Sequence, residues 1–235
     1  MNNLEKTLVS IGAPADKTKM EKFYKYRDLI LERNQHINLT AIKDPDEFEV
    51  KHYVDSVLAY ALPEYSEGKK ILDVGTGGGF PGIPLAIISP DKEFVLMDSL
   101  LKRLKVIDEF AGELDISNVS ILHGRAEELS QKADFRECFD VCVSRAVANL
   151  AVLCELCLPF VKVGGHFISY KGPEAEDELR QAQNAVHILG GGEARIKTVE
   201  GTLFWYDHKF VVIKKVKPTP KKYPRKPGMP SKEPL

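Results

Sequence analysis

The chain has no apolar run approaching the ~20 residues that a membrane-spanning helix needs. Its opening residues, MNNLEKTLVS, lack the charged-then-apolar profile of a signal peptide. The expected location is therefore cytoplasmic, with no membrane partner. Cysteine is scarce: Cys138, Cys142, Cys154 and Cys157 are the only four. Their C-x3-C and C-x2-C spacings invite a zinc reading. The context argues against it, because Cys142 lies in FDVCVS, a strand-like apolar run, and Cys154 and Cys157 lie in AVLCELCLPF, an apolar helix end. Buried free cysteines behave as small hydrophobes, so no metal is expected, and structural disulfides do not suit a cytoplasmic chain. There is no internal repeat. What remains is 235 residues, 43% hydrophobic and 29% charged, which suits one soluble α/β domain plus a small extension.

The net charge of −1 conceals an asymmetry. Residues 214–235 hold eight Lys or Arg against the single acid Glu233, which leaves −8 on residues 1–213. A basic tail on an acidic body points either to a polyanionic partner or to a solvated, solubilising end.

Residues 1–66 read as a helical extension: Pro14 breaks a first short helix, and Met20, Phe23, Tyr24, Leu29, Ile30 and Leu31 recur near helical spacing. INLTAIKDP is a loop, and Asp44-Pro45-Asp46 opens a further helix that Pro63 ends. From residue 70 the rhythm changes. KILDV, EFVLMD, VSILHG, FDVCVS and GHFISYKG are strand-like runs, and PLAIIS, LLKRLKVIDEFAGEL, AEELSQK and AVLCELCLPF follow the first four. Such alternation predicts βαβ units, a parallel sheet and a core over 67–217. RIKTVEG and KFVVIKKV read as terminal strands separated by TLFWYDH, and six prolines exclude regular structure from the tail, 218–235.

The chemistry concentrates in ILDVGTGGGFPG, residues 71–82, between the first strand and the first core helix. Ligands of doubly wound sheets bind at strand carboxyl ends, where the strand order switches. Gly77-x-Gly79-x-x-Gly82 matches the dinucleotide fingerprint, but a lone match is weak, and Pro81 and Pro84 sit where the helix should start. The other parse is Asp73-x-Gly75-x-Gly77-x-Gly79. It places a carboxylate at the strand end, which suits S-adenosylmethionine, a cofactor with an ammonium and a sulfonium, better than a pyrophosphate. Asp98 ends the second strand, where an acid can accept both ribose hydroxyls; an N-cap role is its other reading. Glu127 follows the third strand, facing adenine or simply placing charge in a first helical turn.

On these residues the sequence resembles the ribosomal RNA small subunit methyltransferase G family, also called the glucose-inhibited division protein B family. The motifs are Asn34-x3-Asn38-Leu39-Thr40, His52-x2-Asp55-Ser56, DVGTGGGFPGIPLAI, MDSLLKR, HGRAEE, SRAVANL and KKYPRKPGMPSKEPL, and they cover nearly the whole chain. Two departures are Arg33, where a Trp is expected, and Tyr170, often Leu. The resemblance implies a Rossmann-like class I methyltransferase: a mostly parallel seven-stranded sheet, helices on both faces and an N-terminal helical extension. It implies transfer of a methyl from S-adenosylmethionine to N7 of guanine 527 in 16S rRNA, presented naked or in a small-subunit particle; a monomer is expected, though the sequence itself does not set the oligomeric state. Gly75 and Phe80 would line the cofactor, Gly77 and Gly79 supply the turn, and Ala126 and Glu127 meet adenine. Arg145 would reach the cofactor or the base as the catalytic residue. Asn38, His52, Asp55 and Ser56 would close the mouth, while His52 and Asp55, i and i+3, could instead simply pair. Lys171 and the tail residues Lys222, Tyr223 and Arg225 complete the expected substrate contacts, with the tail extended along phosphates and Tyr223 free to stack.

The fourth strand ends in Val143-Ser144-Arg145-Ala146, without the Asn/Asp-Pro-Pro-aromatic motif of exocyclic-amine methylation. Cys142 lies inside the strand, which excludes it as a pyrimidine nucleophile. Guanine N7 needs neither device, because its lone pair is free. Two other classes remain to be separated from this one: an NAD(P)-dependent oxidoreductase using the shifted glycine parse, and a non-catalytic RNA-binding module on a relic sheet.

Overall fold

A computed structural model describes residues 1–199 and 208–235. Seven strands form its sheet: β1 (Lys70–Val74), β2 (Glu93–Asp98), β3 (Val119–His123), β4 (Phe139–Arg145), β5 (Val161–Lys171), β6 (Gly191–Lys197) and β7 (Lys209–Lys215). Their spatial order is β3-β2-β1-β4-β5-β7-β6. The first five are mutually parallel and β7 is antiparallel to both its neighbours. Strand order reverses between β1 and β4, so a crevice opens at their carboxyl ends.

Because helices cover both faces, the central strands are apolar on both. Ile71, Phe94, Val143, Ile168 and Val212 pack toward helices Gly82–Ile88 and Leu101–Glu113 and toward the N-terminal extension. Leu72, Cys142, Phe167 and Val211 pack on the other side toward helices Leu150–Cys157 and Ala175–Ile188. Cys142, Cys154 and Cys157 are buried there, as their apolar contexts predict.

The extension is built from helices Asn3–Ser10 and Lys17–Arg33 and a helical run over 45–61. It is not a separate body: Leu4, Leu8, Phe23, Tyr26 and Ile30 belong to the same continuous core as Ile83 and Phe110. Arg33, at the position where Trp was expected, forks onto Glu109 and lies 5.3 Å from the Phe110 ring, so it too fastens extension to core. Tyr170 donates from its hydroxyl to the Ser56 carbonyl at 2.7 Å, a tie that Leu cannot make.

Three expectations need correction. β6 begins at Gly191, four residues before RIKTVEG, with an irregularity between Gly191 and Ala194; the end of RIKTVEG and nearly all of TLFWYDH fall outside the described residues. A helix, Ala175–Ile188, occupies a stretch with no predicted element. The tail is not free of structure. It forms a helical turn, Met229–Lys232, and folds back on the body.

Candidate cofactor and substrate site

The glycine stretch forms a tight turn out of β1. Gly75, Gly77 and Gly79 have φ of +74°, +57° and +84°, values that favour glycine. At Gly79 a Cβ would also come 2.2 Å from the Tyr26 hydroxyl, which itself donates to the Gly78 carbonyl at 2.8 Å. The extension thus presses directly on the turn.

Asp73 does not face the crevice. It is fully buried, and its Oδ2 accepts from the Thr76 hydroxyl at 2.7 Å and from the Gly82 N–H at 2.9 Å. Burial pushes its carboxyl up to about 6, and its Oδ1 has no hydrogen-bond partner among the described residues. Asp73 and Gly79 therefore shape the turn, and neither lines the cavity above it. The same contact bears on the dinucleotide parse. That parse needs free amides at the helix start for a pyrophosphate, and the Gly82 amide is already taken by a carboxylate.

A cavity of about 520 Å³ lies over the turn. Gly75, Gly77 and Phe80 line it on one side, and Asp98, Ala126 and Glu127 on another. Asp98 accepts from the Gly77 N–H at 3.0 Å and from the Leu100 N–H at 2.9 Å, one on each oxygen. It is both N-cap-like and cavity-lining, and each oxygen keeps a second lone pair for a ribose hydroxyl. A Cβ built on Gly77 would meet only the Gly75 carbonyl oxygen, at 4.0 Å, among the described residues, so backbone is open to the cavity there. Size, backbone access and the acid at the end of β2 fit an adenosine carrying an amino-acid arm.

A second cavity, about 710 Å³, lies beside it. The two share one wall, made of His52, Arg145, Ala146 and Val147. Ala146 has φ +55°, a left-handed conformation in a non-glycine residue at the junction. Arg145, at the end of β4, is held from the extension. Its Nη1 donates to the Lys51 carbonyl at 3.0 Å and to the Asp55 carboxylate, and its Nη2 donates to His52 Nδ1 at 3.2 Å. Arginine has no acceptor, so Nδ1 of His52 is unprotonated and its Nε2–H donates to the Thr40 hydroxyl at 2.6 Å. Burial, reinforced by Arg145, lowers the His52 pKa to about 3. Burial pushes Asp55 upward, but Arg145 and His208 outweigh it and hold the carboxyl below the usual range. His52 stacks on Phe80 with 4.3 Å between ring centroids, and it stands in a π-helical turn, Glu49–Val54, a winding frequent at functional sites.

The substrate-side residues are not all gathered here. Lys171 lines the second cavity, paired with Glu178 at 2.6 Å. Asn38 is exposed beside the cavity-lining Leu39, and Lys222 is exposed on the tail. Ser56 is buried, with its hydroxyl on the His52 carbonyl, and is not accessible to RNA. Tyr223 is only 7% exposed, so its ring is not available for stacking. Arg225 forks onto buried Glu155, with Nη2 to Oε2 at 2.6 Å, and is not free to meet phosphate. Glu127 lines the cofactor cavity, yet its Oε1 accepts from the Gly228 N–H at 3.0 Å.

Residues of the sequence motifs to which no role was assigned also build the site. Asn34 clips its own loop: Oδ1 accepts from the Leu39 and Thr40 N–H groups at 2.8 and 3.0 Å, and Nδ2 donates to the Thr40 carbonyl at 2.8 Å. This sets Leu39 over the turn and Thr40 against His52. The Asn-x3-Asn-Leu-Thr motif carried that signal, as Asn side chains bond nearby backbone. Thr76, inside the glycine stretch, was readable as a partner for Asp73. Gly228 and Ser231 had no comparable local signal.

A family model described as rRNA small subunit methyltransferase G (GidB) matches residues 19–205. A protein of Clostridium tetani named ribosomal RNA small subunit methyltransferase G is 47% identical over 225 residues, covering 96% of this chain and 94% of its own. One of the same name from Clostridium perfringens is 44% identical over 232 residues, covering 99% and 97%. Among solved structures, an O-methyltransferase from Bacillus cereus in complex with S-adenosylhomocysteine superposes with a TM-score of 0.57 over 92% of this chain and 98% of its own, at 18% identity. That likeness extends to the fold, a Rossmann-like methyltransferase sheet. Matched nearly end to end at this identity, the chain belongs to the ribosomal RNA small subunit methyltransferase G family.

Proposed function

We propose that this protein transfers a methyl group from S-adenosylmethionine to N7 of a guanine in 16S ribosomal RNA, with guanine 527 as the target. The observation that carries the reading is the pair of adjoining cavities with Arg145 in their common wall. One suits the cofactor and the other a flipped purine, so methyl donor and acceptor would meet at the carboxyl end of β4. S-adenosylmethionine, when bound, supplies an electrophilic methyl carbon on its sulfonium. Asp98 takes the ribose hydroxyls, the backbone at Gly75 and Gly77 lies against the amino-acid arm, and Phe80 backs the transfer point.

The groups around the common wall suit an acceptor that needs no deprotonation. Arg145 only donates, the two nitrogens of His52 are both engaged, and the Ser144 hydroxyl donates to the buried Val74 carbonyl at 2.8 Å. Among the described residues the Arg145 Nε–H and one Nη2–H have no partner, which leaves both for O6 of guanine and N7 toward the methyl. Methylation at N7 puts positive charge on the purine. Asp55 neutralises Arg145, so the guanidinium can orient the base without opposing that charge. Alignment and water exclusion then supply the rate, a contribution of roughly 7–11 kcal/mol when geometry is good.

The test is modification mapping of 16S rRNA from cells with and without this protein. The expected result is one protein-dependent methyl at guanine 527, with the borohydride–aniline strand scission diagnostic of 7-methylguanosine. A methyl there that resists scission, or no protein-dependent methyl, would overturn the proposal.

A further inference from the structure

We propose that the tail segment 227–232 is part of the cofactor site, closing the nucleoside end of the cavity, and is not a mobile RNA-binding arm. The inference rests on the proposed cofactor and assigns it an additional wall.

Gly228 and Ser231 line the 520 Å³ cavity, together with Leu156. They line it with Gly124, Arg125, Ala126 and Glu127, which follow β3, and Gly228 touches this group through Glu127. Gly228 has φ +84°, and a Cβ built on it meets nothing within 4 Å among the described residues. The path that brings it there is anchored at several points. Arg136 donates to the Tyr223 carbonyl at 3.0 Å and to the Thr219 carbonyl at 2.8 Å, and Gln131 donates to the Pro224 carbonyl at 3.0 Å. Tyr223 is sunk into the core on the face of helix Leu150–Cys157. Arg225 donates to Glu155 from its backbone N–H at 2.7 Å as well as from its side chain.

Glu127 joins the two functions. One oxygen holds the tail through the Gly228 N–H, and the other remains an acceptor for a purine amine. Tail docking therefore orients the acid that faces adenine. Glu127 and Gly228 act as positioning groups, and the ligand class they serve is a purine nucleoside. Lys232 of the segment and the preceding Lys226 are exposed and do not line the cavity.

The test compares calorimetric titrations of S-adenosylhomocysteine and of adenosine into three proteins: the full chain, a chain ending at Lys226, and full-length Ser231→Trp. Ending at Lys226 keeps Tyr223 and the Arg225–Glu155 fork, and melting without ligand checks that the truncated protein is folded. Both variants should lose tenfold or more in affinity, and by similar factors for the two ligands, because the contact is with the nucleoside they share. Affinity within twofold of the full chain in a folded truncation overturns the proposal; should that truncation not fold, Ser231→Trp alone decides by the same criterion. Loss confined to S-adenosylhomocysteine also overturns it, since the wall would then serve the amino-acid arm. Failure of the full chain to bind either ligand counts against the cofactor reading itself.

Discussion

Replacing Arg225 with alanine isolates the strongest anchor of the tail. Glu155 is 1% exposed, within the apolar helix Leu150–Cys157. The guanidinium gives it three contacts: Nε to Oε1 at 3.0 Å, Nε to Oε2 at 3.2 Å and Nη2 to Oε2 at 2.6 Å. Alanine removes all three and retains only the backbone N–H of residue 225, at 2.7 Å from Oε1. Stripping the partner from a buried charge costs about 3–5 kcal/mol. The retained charge-assisted hydrogen bond, together with an arginine that is itself 23% exposed, places this site at the low end, about 3 kcal/mol. At ~2–4 °C per kcal/mol for a chain of this size, the melting temperature should fall by roughly 6–12 °C. The assay is urea unfolding of wild type, Arg225→Ala, Glu155→Gln and the double variant. Once the carboxylate charge is gone, Arg225→Ala should cost only about 1 kcal/mol, leaving a coupling of about 2 kcal/mol. A single variant within about 0.5 kcal/mol of wild type, or a cycle without coupling, would refute the claim that this pair holds the tail.

Gly79→Ala should destabilise by about 3 kcal/mol or more, from left-handed strain and the Tyr26 clash; Tyr26→Phe should restore part of it, and denaturation of both variants with no rescue would deny the contact. Asp73 has a folded pKa of about 6 against an unfolded value of 3.8, so its ionisation costs stability as pH rises through that window. Asp73→Asn should therefore gain on wild type by up to about 3 kcal/mol between pH 4 and 7 in a pH series of urea melts, and a constant difference would contradict the assignment. His52 has the opposite shift, folded about 3 against 6.5 unfolded; its stabilising contribution is present above pH 6.5 and declines as pH falls toward 3, and its ring NMR shifts should stay flat from pH 8 to 5, with a midpoint near 6 as the disproof. Arg145→Lys keeps a charge for Asp55 but loses the planar fork, so methyl transfer should fall at least tenfold while the melting temperature stays within a few degrees; near-native turnover would show that charge alone suffices.

The parallel half of the sheet was legible because strands buried on both faces read as short apolar runs separated by helices. The glycine turn was legible too, since that density has few uses. Helix Ala175–Ile188 was not, because its buried face is mostly Ala175, Ala182, Ala185 and Val186 beside Glu176, Asp177 and Glu178. Alanine contributes little contrast to a helical pattern. The start of β6 was hidden by Gly191 and Gly192, which look like a turn but enter a distorted ladder. Which way Asp73 points was also out of reach: a carboxylate at a strand end reads the same whether it meets a ligand or splints its own loop. The tail was misjudged because its charge and prolines dominate locally, while its anchors, Glu155 and Arg136, lie some seventy and ninety residues earlier. Glu155 was a clue, a lone acid inside LAVLCELC.

The cofactor cavity draws its lining from Leu39 to Ser231. During synthesis, then, the turn at Gly75–Gly79 emerges with its extension already waiting, yet the β3 side stays open to water until residue 231 has left the ribosome. A chain that stops before Gly228 lacks two residues of that lining. If the tail closes the nucleoside end as proposed, a copy that lacks it would hold the methyl donor weakly.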